Sequence, residues 1–198
     1  TLLAERLRRL SASEGLEYLG NREAEDKSLV MRKLRTMMDR DVYPFRAGGR
    51  LPAVAGEVAG IPVTIRVPKD LDFDRNWADS SRVAAFAKLK LSAGVRIYTR
   101  AKLKRPLAVK LASTGDAAFD AKFAVIAKAP GDLAVLDQEA RRLLLAADAA
   151  FAFRGLEFTR WGVFLHEDGK VCDPALLKQR LALVASLAAS ASGALAAS

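Results

Sequence analysis

The 198-residue chain contains one cysteine, Cys172, and one histidine, His166. A single cysteine excludes an intrachain disulfide and any zinc site built on several thiolates, and it suits a reducing compartment. A single histidine excludes a multi-histidine metal centre. Gly48-Gly49 and Gly56-x-x-x-Gly60 match none of the phosphate-binding loop spacings. Long hydrophobic runs are missing as well. The uncharged stretch 181–197 is interrupted by Ser186, Ser190, Ser192 and Gly193, and it falls short of the ~20 strongly apolar residues that a spanning helix needs. It reads as the end of a packed helix followed by a flexible tail at 193–198. Residues 1–17 are charged and amphipathic, unlike a signal peptide.

Acid is absent where it matters most. No Asp or Glu occurs between Asp79 and Asp116, and that gap holds nine basic residues: Arg82, Lys88, Lys90, Arg96, Arg100, Lys102, Lys104, Arg105 and Lys110. The whole chain has 32 Lys+Arg against 23 Asp+Glu, a formal charge of +9, so the gap alone accounts for the net charge. Charge of one sign concentrated in one place points to partners rather than to fold.

Hydrophobic residues make up 51% of the chain, enough for a sizeable core. Leu3, Leu7 and Leu10 predict an amphipathic helix over 1–14, and residues 16–19 a short strand. A second helix is expected over 23–40, with a stripe of Val30, Leu34, Met37 and Met38. From residue 51 the period changes to two. Strands are expected at 54–58 and 61–67 around Ala59-Gly60, followed by a polar excursion over 68–81 that carries Trp77. Residues 82–91 and 95–104 then read as a hairpin joined by Ser92-Ala93-Gly94. Its odd positions are apolar but for Thr99, from Val83 to Leu91 and from Val95 to Leu103. Its even positions carry Arg82, Phe86, Lys88, Lys90, Arg96, Tyr98, Arg100, Lys102 and Lys104 on the opposite face.

Further on, residues 107–111 extend the sheet, a strand is expected at 121–128, a helix at about 133–149, and strands at 156–160, 162–167 and 170–172. Asp173-Pro174 opens the last helix. The whole is an α+β fold: a curved, mainly antiparallel meander with N-terminal, middle and C-terminal helices packed on one face. Residues 1–49 form a helical segment and 50–192 the sheet domain.

The stretch S-T-G-D-A-A-F-D-A-K-F-A-V-I-A-K (113–128), followed by a helix around 140–145 and two strands between Gly155 and Glu167, resembles a bacterial domain family of unknown function. In those domains a turn with Asp and a Phe-Asp-x-x-Phe motif precede a strand and a Leu-rich helix. The resemblance covers about residues 50–170. It implies an α+β domain with a meandering antiparallel sheet, and members often lie beside membrane-spanning segments. It transfers no catalytic residue. From the residues themselves, Phe119 and Phe123 are core anchors one helical turn apart, and Asp116 and Asp120 stabilise the turn. The alternative, a cation held by the two carboxylates, lacks ligands to complete a shell.

Other chemistry is thin. His166 with Glu167, Asp168 and Asp173 makes a poor mixed metal site, and an Asp168-Gly169 turn explains the acids. Cys172 with His166 lacks a visible oxyanion hole. Glu157 and Glu167 are an acid–base pair only in the sense that any two carboxylates on neighbouring strands are. The sequence therefore predicts no catalytic, cofactor or metal residue. It predicts a non-catalytic interaction or scaffold domain, cytoplasmic or at the inner face of a membrane. Its basic hairpin face would bind an acidic protein or an anionic membrane surface. A nucleic-acid binder using Phe86 and Tyr98 for stacking is the alternative, and an enzyme of unrecognised class the second. A merely solvated strand face that guards a sheet edge explains the charge without a partner.

Overall fold

In the computed structural model, residues 2–20, 27–37, 53–66, 80–103, 107–150, 153–168 and 173–194 are described. The elements are α1 (Leu2–Glu14), β1 (Glu17–Tyr18), α2 (Leu29–Met37), β2 (Ala53–Val58), β3 (Ile61–Arg66), β4 (Ser80–Phe86), β5 (Val95–Thr99), α3 (Ala117–Lys122), β6 (Phe123–Ala127), α4 (Gln138–Ala150), β7 (Gly155–Thr159), β8 (Gly162–Asp168) and α5 (Pro174–Ala194). Short 3-10 turns occupy Arg100–Lys102 and Pro130–Val135. The chain is α+β, with one eight-stranded sheet in the order β1-β2-β3-β4-β8-β7-β5-β6 and every strand pair antiparallel. No described helix is long and apolar enough to cross a membrane.

Strand alternation explains how the sheet is covered. Val54, Val63, Ile65, Val83, Ala85, Val95, Ile97, Val125, Leu156, Phe158, Val163 and Leu165 share the main core with α1, α4 and α5, to which Leu7, Ala140, Leu144, Leu177, Leu181, Val184 and Leu187 belong. Each such buried aliphatic side chain contributes about 1.5–3 kcal/mol relative to exposure. The alternate residues Ala55, Ala84, Phe86 and Phe164 form a second, smaller core with Leu19, Met31 and Leu34. Helices were expected on one face, and α2 departs from this by packing on the other. Leu34 of the expected stripe is buried there with Val30 and Met37 half-buried beside it, Met31 joins them although it was not expected, and the small and aromatic residues at alternate strand positions supply the apolar partner.

The hairpin expected between 82–91 and 95–104 does not form. β4 pairs with β3 and β8, whereas β5 pairs with β6 and β7. The β7–β8 hairpin is inserted between them, three strand spacings or about 14 Å from β4 to β5. The inserted hairpin gives Arg96 a carboxylate partner that a β4–β5 ladder would lack, although like charges are tolerated elsewhere in the sheet, where Arg66 stands opposite Arg82 in the β3–β4 register. With the later hairpin inserted, Arg82 faces His166 and Arg96 faces Glu157. Beyond β4 the chain runs past the hairpin tip, where Ala87 N–H donates to Trp161 O at 3.0 Å and Leu89 N–H to Arg160 O at 2.9 Å. After Thr99 the backbone turns into the 3-10 turn, so the expected second strand ends there. Lys104 and Arg105 lie outside the described residues, as do Trp77, Cys172 and the expected strand 170–172. In the region 107–111 the expected strand is replaced by one isolated bridge, Ala112 with Val125.

The loop that rounds the hairpin tip is held by a single carboxylate. Asp132 accepts the backbone N–H of Ser92 at 2.9 Å and those of Ala93 and Gly94 at 2.8 Å each. Burial pushes its pKa up, but the three donors outweigh this and hold it below the ordinary carboxylate range. Gly94 has φ +79°, and a Cβ there would meet Phe158 O at 2.5 Å, so the loop passes close under β7 only with glycine. Replacing Asp132 with Ala is expected to cost about 2 kcal/mol by leaving three donors unpaired. Urea unfolding monitored by circular dichroism measures it, and a loss below ~0.5 kcal/mol would show that water serves those donors equally well.

The S-T-G-D segment is structural, as its residues suggested. Asp116 caps α3 by accepting from Phe119 N–H at 3.0 Å. Asp120 accepts from Ser113 Oγ at 2.7 Å and Thr114 Oγ1 at 2.8 Å. The Phe119 and Phe123 rings are 4.7 Å apart in the core.

Candidate functional site

The second face of the sheet continues past α2 onto β8, β7 and β5, and there it changes from apolar to charged. Two cross-strand rows follow from the register. The first runs Arg82, His166, Gly155, Tyr98; the second runs Ala84, Phe164, Glu157, Arg96. Gly155 contributes no side chain to its row, and Tyr98 fills that place. A Cβ on Gly155 would meet Tyr98 Cδ1 at 3.3 Å, so the ring lies over the glycine on the way to His166. Arg154, at the bend before β7, completes the group by bringing its charge to bear on both His166 and Tyr98. Its N–H donates to His166 O at 3.1 Å.

Arg96 and Arg82 thus act on one described carboxylate, Glu157, while Arg154 brings a third guanidinium to the same cluster beside His166 and Tyr98. Arg96 Nε stands 2.8 Å from Glu157 Oε1, with the arginine side chain 61% exposed and the glutamate 22%. Arg82 is half-buried and lies over the Phe164 ring at 5.8 Å, one end of the cluster resting on the second core. Burial lowers its pKa, and Glu157 acts in the opposite sense. His166 is buried, and its pKa is pushed down to about 3, first by burial and then by Arg82, Arg154 and Arg96. Its Nε2 is 3.9 Å from Glu157 Oε2, but with so low a pKa the imidazole is neutral at pH 7 and the pair is no salt bridge. Burial raises the Tyr98 pKa and Glu157 adds to that, against Arg96 and Arg154. The arrangement is a positively charged patch over a buried neutral imidazole and a half-buried phenol. Chemically it suits an oxyanion held by arginine forks.

The structure divides the nine residues expected on one hairpin face. Arg82, Arg96 and Tyr98 come together, through β8 and β7 rather than through a shared turn. Lys88 and Lys90 are exposed at the hairpin-tip end, where Arg160 also lies, 4.9 Å over the Trp161 ring. Arg100 and Lys102 are exposed at the opposite end of β5, and Arg100 Nε donates to Asp120 O at 2.9 Å. Phe86 is corrected outright. It is 2% exposed, packs edge-on against Phe164 at 5.6 Å, and presents no stacking surface. Strand alternation missed it because α2 covers that end of the face.

Residues 154, 157 and 166 were not expected in the cluster. Alternation of Leu156/Phe158 and Val163/Leu165 is the signal that could have placed Glu157 and His166 on a polar face, but nothing local indicated which strands would flank that hairpin. The acid–base pair Glu157 and Glu167 is split between the two faces: Glu167 pairs with Arg180 on the core side, both side chains 5% exposed. The same alternation separates His166 from Glu167 and so dismantles the mixed metal site. Among the described residues no group of three His, Cys, Asp or Glu side chains could hold a metal.

No protein-family model matches the chain, and no curated protein matches it. Among solved structures it is similar to the crystal structure of the mycobacterial trehalose monomycolate transport factor A, TtfA, at a TM-score of 0.51 and 15% sequence identity, over 91% of this chain and 93% of that one. At that identity the likeness extends to the fold alone.

Proposed function

We propose that the chain is a non-catalytic interaction domain whose charged sheet face receives an acidic segment of a partner protein, in the cytoplasm or at the inner face of a membrane. The observation that carries this reading is the gathering of Arg82, Arg96 and Arg154 in one cluster with Glu157, His166 and Tyr98. The face already accepts one carboxylate in side-on arginine contact, at 2.8 Å, and arginine forks favour that geometry over a diffuse charge. Lys88, Lys90, Arg100 and Lys102 at the two ends lengthen the positive surface and steer an acidic partner toward it.

Two observations favour a protein over the other anionic partners. Among the described residues the exposed large hydrophobics are Leu29 and Val109, which offer no contiguous apolar patch for entering a bilayer. With Phe86 buried and Tyr98 lying along the sheet over Gly155, the aromatic platform that single-stranded nucleic acid requires is missing from this face. A likeness of fold to a protein named as a transport factor suits a binding role.

Fluorescence anisotropy with a labelled decaglutamate peptide tests the reading. Wild type is expected to bind with an affinity that falls as salt rises. The double variant Arg96→Gln/Arg154→Gln is expected to bind roughly tenfold more weakly, the loss of one to two charge-assisted contacts. Equal affinity of wild type and variant would remove the cluster from the reading. Tighter binding to phosphatidylserine vesicles or mixed-sequence RNA than to the peptide would replace the protein partner by one of those.

A further inference from the structure

We infer that Glu157 is a resident competitor: its carboxylate occupies the place at Arg96 that the partner's carboxylate takes on binding. The inference rests on the acidic-partner reading above and adds how that site is kept and opened.

The position of Glu157 is set by backbone pairing. It sits at the middle of β7, directly opposite Arg96 on β5 and Phe164 on β8. Phe164 belongs to the second core and cannot answer the charge. Glu157 therefore turns toward Arg96, and its charge reaches Arg82 and Tyr98 as well. One carboxylate thus serves several cationic neighbours at once.

The bond is also easily broken. Arg96 is 61% exposed and Glu157 22%, so both ends meet water. Exposed ion pairs contribute little net stability, because each partner is well solvated when released. An incoming carboxylate therefore replaces Glu157 at small cost, while Glu157 turns outward to solvent. The buried ion pair on the other face contrasts with it: Glu167 and Arg180 have no such access to water and could not exchange. A purely structural counter-ion would be expected in that second setting, and Glu157 is in the first. The same contact shields the arginines from non-specific anions when no partner is present, a form of discrimination by competition.

The test is the variant Glu157→Gln, which keeps the side-chain shape and removes the charge, titrated with the labelled decaglutamate peptide at 0.15 M salt. Binding is expected to tighten about fivefold, the worth of an exposed ion pair. Glu5→Gln makes the same change in net charge on α1, which belongs to the other face, and is expected to leave binding unchanged, since at this salt distant charges are screened over about 8 Å. In an Arg96→Gln background the gain from Glu157→Gln is expected to vanish. If the glutamine variant fails to fold, Glu157→Thr, a good strand former, replaces it. Unchanged or weaker binding by a folded Glu157 variant, with wild type binding the peptide, overturns this inference alone. A gain as large in Glu5→Gln, or one that persists without Arg96, overturns it too. Failure of wild type and variant alike to bind overturns the reading beneath it as well.

Discussion

Replacing Arg180 with methionine is expected to destabilise the fold by about 3–5 kcal/mol, because it strands a buried carboxylate. Arg180 projects from α5 into the main core side of the sheet, where its Nε donates to Glu167 Oε1 on β8. Both side chains are 5% exposed. Opposite Glu167 on β4 stands Ser81, itself buried. The pair thus ties the last helix to the middle of the sheet, where β4 and β8 adjoin. Removing one partner leaves the other charged in a low-dielectric setting, or forces it to take up a proton. Either outcome is costly. Glu167→Leu alone is expected to be comparably damaging, because the guanidinium cannot be neutralised at all.

The double variant Arg180→Met/Glu167→Leu separates burial cost from pair strength. Its loss is expected to be far smaller than the sum of the two single losses, since replacing both charges with apolar groups removes the desolvation penalty. Thermal unfolding reads this directly: for a chain of this size each kcal/mol is worth about 2–4 °C, so the single variants are expected to melt roughly 10 °C lower. Single variants that stay within about 1 kcal/mol of wild type would mean that water reaches the pair on a short timescale and that α5 is held by its leucines alone. Leu177, Leu181 and Val184 lie on the packed face of α5. Arg180 lies one turn from Leu177 and Val184, so helical periodicity puts a charge on that face. Only its burial was hidden.

The fold class was legible, and the reason is local. Val63, Ile65, Val83, Ala85, Val95 and Ile97 alternate strictly, and the structure places every one in the main core. The breakers Gly60 and Gly94 mark turns that need positive φ. Pairing partners were not legible, because they depend on contacts remote in sequence: β4 meets β8 across 76 or more positions, as in Phe86 with Gly162. A short loop with glycine at its end is good evidence for a hairpin when the two strands attract each other. Here the flanking faces were both basic, which weakens that evidence without deciding the pairing, since Arg66 and Arg82 do stand opposite each other in the β3–β4 register. The inserted hairpin supplies a carboxylate on β7 and a neutral imidazole on β8.

The candidate site was half legible for the same reason. Charge imbalance found Arg82 and Arg96, since neither needs a partner to be noticed. It also gathered Lys88, Lys90, Arg100 and Lys102, which the fold sends to the two ends of the sheet. Glu157 and His166 were noticed only as candidates for catalysis or metal binding, roles that assume Glu167 on the same side. Alternation within β8 puts His166 and Glu167 on opposite faces, and that inference needed no structure.

Acid is expected to unfold the protein earlier than its carboxylates alone would, and His166 is the cause. In the unfolded chain its imidazole takes up a proton near pH 6.5. In the folded chain, burial and the charges of Arg82, Arg154 and Arg96 depress that value to about 3. Between those limits the unfolded state holds a proton that the folded state refuses. Stability is therefore full above about pH 6.5 and falls as the pH drops toward 3, by about 2 kcal/mol at pH 5 and about 4 kcal/mol at pH 3.5. Asp132, whose folded pKa is also lowered, adds a loss of the same sign, but only below about pH 4, where unfolded aspartates begin to protonate. The window from pH 6.5 to 5 therefore belongs to the histidine. Urea unfolding at pH 7 and at pH 5 is expected to differ by the stated amount in wild type and much less in His166→Gln, which cannot titrate. If the two proteins lose stability equally over that window, protonated His166 is accommodated by Glu157, 3.9 Å from Nε2, and the three arginines do not dominate the field at the floor of the cluster.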